Sequence, residues 1–139
     1  MIRDKSIEQL ENDYWQDYDF PTGLVRRCHE YRKIRLKDLT SEQMTTLIGQ
    51  NIGRNYVVRI ALEKLESNIL PDDDIYPGAL FLNILKLEPE FWKGEKDLWI
   101  VVSVMVNKWY DSILHNNEDN LLDDLIGQLN DFKNKVVDF

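Results

Sequence analysis

Apolar residues in positions 39–68 recur at the spacing of two amphipathic helices joined by a glycine-containing hinge. The first helix follows Thr40, a good N-cap, and Gln43 completes a capping box with it. Gly49 and Gly53 flank the hinge, because glycine readily leaves a helix in a left-handed conformation. The apolar positions are Met44, Leu47 and Ile48 before the hinge, and Val57, Ile60, Ala61 and Leu65 after it. We expect the rest of the chain to pack around this pair.

Two shorter helices are predicted before the pair. Ser6 and Gln9 form a second capping box at the start of the first one. Turn-forming residues then indicate a loop over 16–22, and a second helix covers 22–33. The apolar positions expected to face the core are Ile7, Leu10 and Tyr14 in the first helix, and Leu24, Val25 and Cys28 in the second.

Three helical segments are predicted in the second half by the same spacing. One begins near Pro77, another opens on Pro89 and ends at Gly94, and the last covers 121–136. Their apolar positions include Leu80, Phe81, Ile84 and Leu85 in the first of these, and Leu121, Leu122, Leu125, Ile126, Leu129, Phe132 and Val136 in the last.

Residues 97–114 are compatible with two structures. The β-branched run WIVVSVMV is typical of a buried strand. A spacing of three to four residues nevertheless continues for about four turns through Trp99, Val102, Val106, Trp109 and Ile113. We therefore predict a buried central helix. The sum is an all-α protein, a single compact domain of about seven helices over residues 1–139.

The distribution of charge divides the chain in two. Its net charge is −8 over 139 residues. Residues 1–66 hold eleven basic and eleven acidic side chains, whereas residues 67–139 hold six basic and fourteen acidic ones. An acidic half serves solubility, or it forms an electrostatic face for a basic partner. It argues against general nucleic-acid binding, which needs cations along the phosphates.

Catalytic and metal-binding patterns are missing from the sequence. Cys28 and His29 are neighbours, so on a helix they point in different directions and do not form a nucleophile and its base. Two histidines and one cysteine do not make a zinc motif. Residues 72–74 lack the ligand spacing of a calcium loop, and residues 49–53 lack the lysine of a phosphate loop. We expect no enzymatic activity, no metal and no cofactor.

The expected compartment is the cytoplasm. A single cysteine excludes an internal disulfide and fits a reducing environment. Residues 1–11 lack the apolar segment of a signal peptide, and no apolar run approaches the ~20 residues that cross a bilayer. We expect no membrane partner.

A basic stretch lies within and after the second predicted helix. Its cations are Arg26, Arg27, Arg32, Lys33, Arg35 and Lys37. We interpret them as a solvated helix face. The alternative is a nucleic-acid-binding regulator that uses this stretch, or that reads DNA through the two helices of residues 40–66.

Several segments resemble the immunity proteins of bacterial contact-dependent growth inhibition systems. They are SIEQLENDYW, LVRRCHEYRKIRLKDLT, LIGQNIG-x-x-Y, ALEKLESN and YPG-x-L, in this order, and the resemblance covers residues 6–92. The family pattern has an acidic residue after YPG, where this chain has Ala79. The resemblance implies a cytoplasmic protein, not an enzyme. It implies one-to-one binding to the C-terminal toxin domain of an effector, and such toxins are often nucleases with a basic groove.

The residues expected to contact such a toxin lie in acidic loops. Residues 72–74 and Tyr76 are the first choice, because carboxylates can stand where phosphates would lie and tyrosine is a good anchor. The full set is Asp72, Asp73, Asp74 and Tyr76, with Glu88, Glu90, Glu118 and Asp119 as second choices. The family motif residues Gly49, Gln50, Asn51, Gly53, Tyr56, Pro77 and Gly78 are assigned to the fold. A general helical adaptor has the same sequence properties, so only the partner distinguishes it.

Overall fold

The structure is a computed structural model that describes residues 1–16 and 20–139. Eight α-helices and no strand lie in these residues, against the prediction of about seven helices. The helices are α1 (Ile7–Glu11), α2 (Gly23–Tyr31), α3 (Ser41–Gly49), α4 (Arg54–Ser67), α5 (Ala79–Leu85), α6 (Pro89–Gly94), α7 (Lys96–His115) and α8 (Asp123–Lys133). Three 3₁₀ turns cover Ile2–Asp4, Leu36–Asp38 and Glu118–Asn120. The all-α prediction is confirmed.

Both predicted capping boxes are present. Ser6 Oγ accepts from Gln9 N, and Gln9 Oε1 accepts from Ser6 N at 2.9 Å. Thr40 and Gln43 make the same reciprocal pair at the start of α3. Each box satisfies two backbone N–H groups that have no partner inside their helix, which fixes where α1 and α3 begin.

The buried centre of the fold is α5. The sequence predicts instead that the helix over residues 97–114 is the buried central one. Six of the seven α5 residues are buried, and the helix packs against α3, α4 and α8. Residues 97–114 are indeed helical in α7, but five of its twenty residues are buried. Ile100 and Val104 are exposed on its outer side. A long helix that lies at the edge of a fold is covered on one side only, whatever the composition of its other side.

Polar groups close both ends of α5. Gly78 precedes it in the left-handed conformation, and the side chain of Asp74 accepts from Leu80 N at 3.2 Å. At the other end, Lys135 Nζ donates to Leu85 O at 3.0 Å and to Leu87 O at 3.4 Å. Burial lowers the pKa of the Lys135 ammonium. These contacts satisfy backbone groups that a short buried helix would otherwise leave without partners.

Three predicted core positions lie outside their helices. Asn12 ends α1 in the left-handed conformation, so Tyr14 follows the helix and is exposed. The chain turns before α8 at Leu121 and leaves it after Lys133, so Leu121 and Val136 are exposed. The predicted loop over 16–22 falls partly on residues 17–19, outside the described residues.

The buried hydrophobic residues from Ile7 to Phe132, except Cys28 and Ala79, form one core cluster. Cys28 belongs to the buried residues, and burial raises the pKa of its thiol. No described helix is long and apolar enough to cross a membrane. In residues 1–16 and 20–139, no three His, Cys, Asp or Glu side chains are grouped to hold a metal ion.

Candidate binding surface

The carboxylate of Asp73 links three parts of the fold. Its Oδ2 atom accepts from Ser41 N at 3.0 Å and from Lys64 Nζ at 2.6 Å. Burial opposes ionisation, but the hydrogen bonds from Lys64 and Ser41 outweigh it and lower the pKa of Asp73 to about 2. Asp73 therefore joins its loop to the start of α3 and to α4, which makes its carboxylate part of the fold.

Asp74 also has an internal position. Its Oδ1 atom accepts from Leu80 N, and its Oδ2 atom is buried with no hydrogen-bond partner among the described residues. Burial raises the pKa of Asp74 to about 6, although backbone hydrogen bonds from Leu80 and Gly78 act in the opposite direction. Two of the three carboxylates in residues 72–74 are therefore bound to other parts of the fold, whereas Asp72 is exposed.

The raised pKa of Asp74 predicts a pH dependence of stability. A folded-state pKa of about 6 against an ordinary value of 3.8 means that the fold favours the protonated acid. The stability that this acid contributes is present below pH 3.8 and is lost as the pH rises to 6. Asp74→Asn should therefore gain stability relative to the wild type between pH 4 and pH 7, by about 1–2 kcal/mol once solvent screening of this half-buried group is allowed for.

Urea unfolding of both proteins at the two pH values measures this difference. Asp72→Asn, in the same loop but exposed, corrects for the general loss of one negative charge. A difference between Asp74→Asn and the wild type that stays constant over this pH range would contradict the prediction.

The exposed side chains of this loop lie on either side of Asp73 and Asp74 along the chain. Asp72, Ile75 and Tyr76 are exposed, and Tyr76 lines a groove of about 240 Å³ together with Asp124 and Gln128 of α8. Gly78 lies against Leu125 of the same helix. The close packing of α5 on α8 therefore brings the first-choice loop next to the acidic start of α8.

Glu118 and Asp119 lie in the turn that leads into α8. Asn117 holds this turn, since its Oδ1 atom accepts from Leu122 N at 2.7 Å and its Nδ2 atom donates to Asp123 Oδ1 at 2.8 Å. Both acids are exposed, and Leu121 beside them is an exposed apolar residue. Tyr76 and Asp124 share the groove, and we name them, with the exposed acidic and apolar residues close to them along the chain, the Tyr76 surface; it comprises Asp72, Ile75, Tyr76, Glu118, Asp119, Leu121 and Asp124.

The carboxylates of the Tyr76 surface have no ion-pair partner in the described part of the chain. Lys86 is the one cation that lines its groove. Four residues of this surface, Asp72, Tyr76, Glu118 and Asp119, are among those expected from the sequence to contact a toxin. The sequence did not indicate Ile75, Leu121 or Asp124. An apolar residue inside an acidic loop, as at Ile75, is the signal that could have found the first of these.

Glu88 and Glu90 line a different groove at the far end of α5. This groove of about 440 Å³ also contains Glu11, Glu95 and Arg54. Here every glutamate has a cation: Glu88 pairs with Arg54 at 3.0 Å, Glu90 with Lys93 at 3.6 Å, Glu11 with Arg32 at 3.1 Å and Glu95 with Arg59 at 3.2 Å. The groove is acidic in composition but locally balanced in charge.

The sequence predicts that the basic stretch is a solvated helix face. The structure differs, because one of its arginines is buried. The Arg32 side chain is 1% exposed, donates to Glu11 Oε1 at 3.1 Å and Asp13 O at 2.9 Å, and lies 4.1 Å from the Trp15 ring centre. Arg35 pairs with Asp38, and Lys37 pairs with Asp4. The sequence did not indicate that Arg32 is buried, because its acidic partners lie about twenty residues away along the chain.

Two glycines of the motif are required by contacts between distant segments. Gly53 has φ +55°, and a Cβ atom there would lie 2.8 Å from three carbon atoms of Ile7. Gly78 has φ +81°, and its Cβ would lie 2.8 Å from Leu125 Cδ2. These contacts give both residues a structural role, as the sequence predicts.

Comparison with known proteins identifies the family. The family model described as CDI immunity proteins matches residues 9–102. Searches of curated proteins and of solved structures gave no match. The matched region runs from α1 into α7 and contains Gly53 as well as the Asp73 and Asp74 anchors. Since it covers well over half of the residues, the chain belongs to the family of CDI immunity proteins, whose function is to neutralise a cognate toxin.

Proposed function

We propose that this protein binds the C-terminal toxin domain of a contact-dependent growth inhibition effector, one to one, and blocks the active site of a basic nuclease in the cytoplasm. It acts by binding and not by catalysis, and residues 1–139 fold as a single domain for this purpose. The family supports the toxin as partner. The acidic charge of the Tyr76 surface is the observation that favours a basic nuclease as the toxin.

Unpaired carboxylates favour the Tyr76 surface over the Glu88 groove. A nuclease must hold phosphates with cations, and carboxylates at Asp72, Glu118, Asp119 and Asp124 can occupy those cations. Each of the four is exposed and has no ion-pair partner in the described residues. By contrast, Glu88 and Glu90 already have cationic partners. We therefore assign Glu88 and Glu90 at most a peripheral contact.

Apolar side chains give the Tyr76 surface the composition of a binding site. Ile75, Tyr76 and Leu121 are between 48% and 66% exposed. Protein interfaces combine such anchors with a polar rim, and tyrosine is enriched among the residues whose loss costs about 2 kcal/mol or more. Asp73 and Asp74 contribute indirectly, because they hold the loop that presents Ile75 and Tyr76.

The test compares Tyr76→Ala and Asp72→Lys with matched controls at other sites. Tyr14→Ala removes a tyrosine of similar exposure, and Asp131→Lys reverses a charge near the far end of α8. Calorimetry at low and high salt measures binding to the toxin domain that is encoded just upstream of the gene for this protein. We expect each surface variant to weaken binding by about tenfold or more, and each control to bind as the wild type does.

The salt dependence separates two outcomes. The acidic interface is supported if the wild type binds the toxin domain more weakly at high salt and if the Asp72→Lys variant lacks this salt dependence. Equal binding by all variants would move the interface away from the Tyr76 surface. Absence of binding by the wild type would overturn the proposal. Reversal of Asp73 or Asp74 is a poor test, because it would also remove anchors of α3, α4 and α5.

The two alternative functions, a nucleic-acid-binding regulator and a general helical adaptor, have less support. A nucleic-acid-binding regulator would need the basic stretch, but its arginines at 32 and 35 and its lysine at 37 already have acidic partners. A gel shift at moderate salt tests it directly. A general adaptor is distinguished by its partner, and the family makes that partner a toxin.

A further inference from the structure

The outer side of α7 carries an apolar strip without a partner in the described residues. Ile100, Val101 and Val104 are 41% to 63% exposed. Residues four apart on a helix lie on the same side, so Ile100 and Val104 are adjacent, and Val101 lies next to them. The strip faces away from the core that holds Val102, Met105 and Val106. Three neighbouring β-branched side chains on an exposed helix face favour contact with another protein.

A groove between α4 and α7 borders this strip. It has a volume of about 190 Å³, and its apolar wall consists of Leu62, Leu98 and Val101. Acidic side chains at Glu63 and Glu66 stand along its α4 side. Because Val101 belongs to both, the strip and the groove form one continuous surface.

The charge at this groove is negative. Arg59 also lines it, but its guanidinium donates to Asp97 Oδ2 at 2.8 Å and to Glu95 Oε2 at 3.2 Å. Neither Glu63 nor Glu66 forms a salt bridge in residues 1–16 and 20–139, although, after the hydrogen bond to Asp97, the charge of Glu63 also contributes to the raised pKa of Arg59. The cation at the groove is thus engaged, whereas two exposed carboxylates are available to a partner.

A second copy of the chain fits this surface poorly. A two-fold symmetric interface brings the same patch of both copies together, so Glu63 and Glu66 would face acidic groups of the other copy. Both copies also carry a net charge of −8. In addition, three partly exposed side chains supply much less than the ~800 Å² per partner of a standard interface. The charges favour a basic partner.

We infer that this α7 surface is a second contact for the toxin domain and takes a lysine or arginine side chain next to an apolar one. The aliphatic stem of the cation lies along Leu62, Leu98 and Val101, and its head reaches Glu63 and Glu66. The apolar neighbour covers Ile100 and Val104. This inference rests on the proposed function and adds a site outside the Tyr76 surface.

Two variants test the two halves of the surface. Ile100→Ser/Val104→Ser removes the strip, and Glu63→Lys/Glu66→Lys reverses the carboxylates. Val136→Ser, an exposed valine after α8, and Asp131→Lys are the controls. Calorimetry with the upstream toxin domain should show about tenfold weaker binding for both double variants. The controls should bind as the wild type does. Circular dichroism and urea unfolding establish that each variant is folded.

The outcomes separate this inference from the proposed function. If the wild type binds the toxin and both double variants bind it equally well, the α7 surface is not a contact, and the function stands. If the wild type does not bind, the function itself fails. Sedimentation of the protein alone provides a further test. A dimer that Ile100→Ser/Val104→Ser converts to monomer would assign the strip to a second copy and overturn the inference.

Discussion

Gly53→Ala is expected to destabilise the fold by about 2–4 kcal/mol, from the cost of a left-handed residue with a side chain and of overpacking a core. Gly53 precedes α4 with φ +55° and ψ 29°. An added Cβ would lie 2.8 Å from the Cδ1, Cγ1 and Cγ2 atoms of Ile7. Ile7 is fully buried, so it has little room to move. The free energy of unfolding in urea measures the effect.

Gly49→Ala is the matched control, four residues earlier in the same motif. Gly49 is the last residue of α3, and an added Cβ meets no atom within 4 Å. We expect this variant to be as stable as the wild type or more stable, since alanine favours a helix over glycine by up to about 1 kcal/mol. Equal stability of Gly53→Ala and Gly49→Ala would show that the contact with Ile7 relaxes at no cost.

Trp92→Ala is expected to have the largest effect on stability, about 3–5 kcal/mol. Trp92 is fully buried, and its Nε1 atom donates to Leu87 O at 3.0 Å. Its ring lies 5.4 Å from that of Trp99 and 6.2 Å from that of Phe132. Truncation removes contacts between α6, α7 and α8 at once and leaves a large cavity. Urea unfolding followed by circular dichroism gives the change.

Trp92→Phe separates packing from hydrogen bonding. Phenylalanine keeps most of the aromatic contact but leaves Leu87 O without the indole donor, although Lys135 Nζ still lies 3.4 Å from this oxygen. We therefore expect a smaller loss, about 1–2 kcal/mol. If the two Trp92 variants were equally unstable, the hydrogen bond and not the ring packing would dominate.

Local signals in the sequence predicted where α1 and α3 begin. The capping boxes at Ser6 and Thr40 involve residues three apart, so the sequence contains both partners and their spacing. The helix over 97–114 was also predicted correctly against the strand alternative, because its spacing persists for four turns. These features depend on neighbours along the chain.

Long-range partners account for the errors. Arg32 is buried because Glu11 and Asp13 meet it from about twenty residues away. The central position belongs to α5, not α7, because α3, α4 and α8 surround it. No periodicity within a helix indicates how many neighbours will cover it. The same limitation affected Asp73, whose partner Ser41 lies 32 residues earlier.

The sequence could predict which acidic residues of the candidate site are exposed, but not which residues of the site lie close together in space. Acidic loop residues at Asp72, Glu118 and Asp119 are exposed, as expected from their polarity and the turn residues around them. The approach of Tyr76 to Asp124, at the start of α8, depends on the packing of α5 against α8, through Gly78 and Leu125. That contact spans 47 positions of the chain, a distance over which spacing rules give no information.

The loop before α5 has one consequence for how the family can diversify. Positions 73, 74 and 78 are tied to Lys64, Leu80 and Leu125, whereas positions 72, 75 and 76 are exposed. Fixed and free positions are thus interleaved in one short segment. Mutations at the three free positions can accumulate with little loss of folding free energy. If the Tyr76 surface contacts the toxin as proposed, single substitutions at positions 72, 75 and 76 can change toxin specificity while the fold is kept, and a library randomised at these positions would provide a starting point for retargeting the protein.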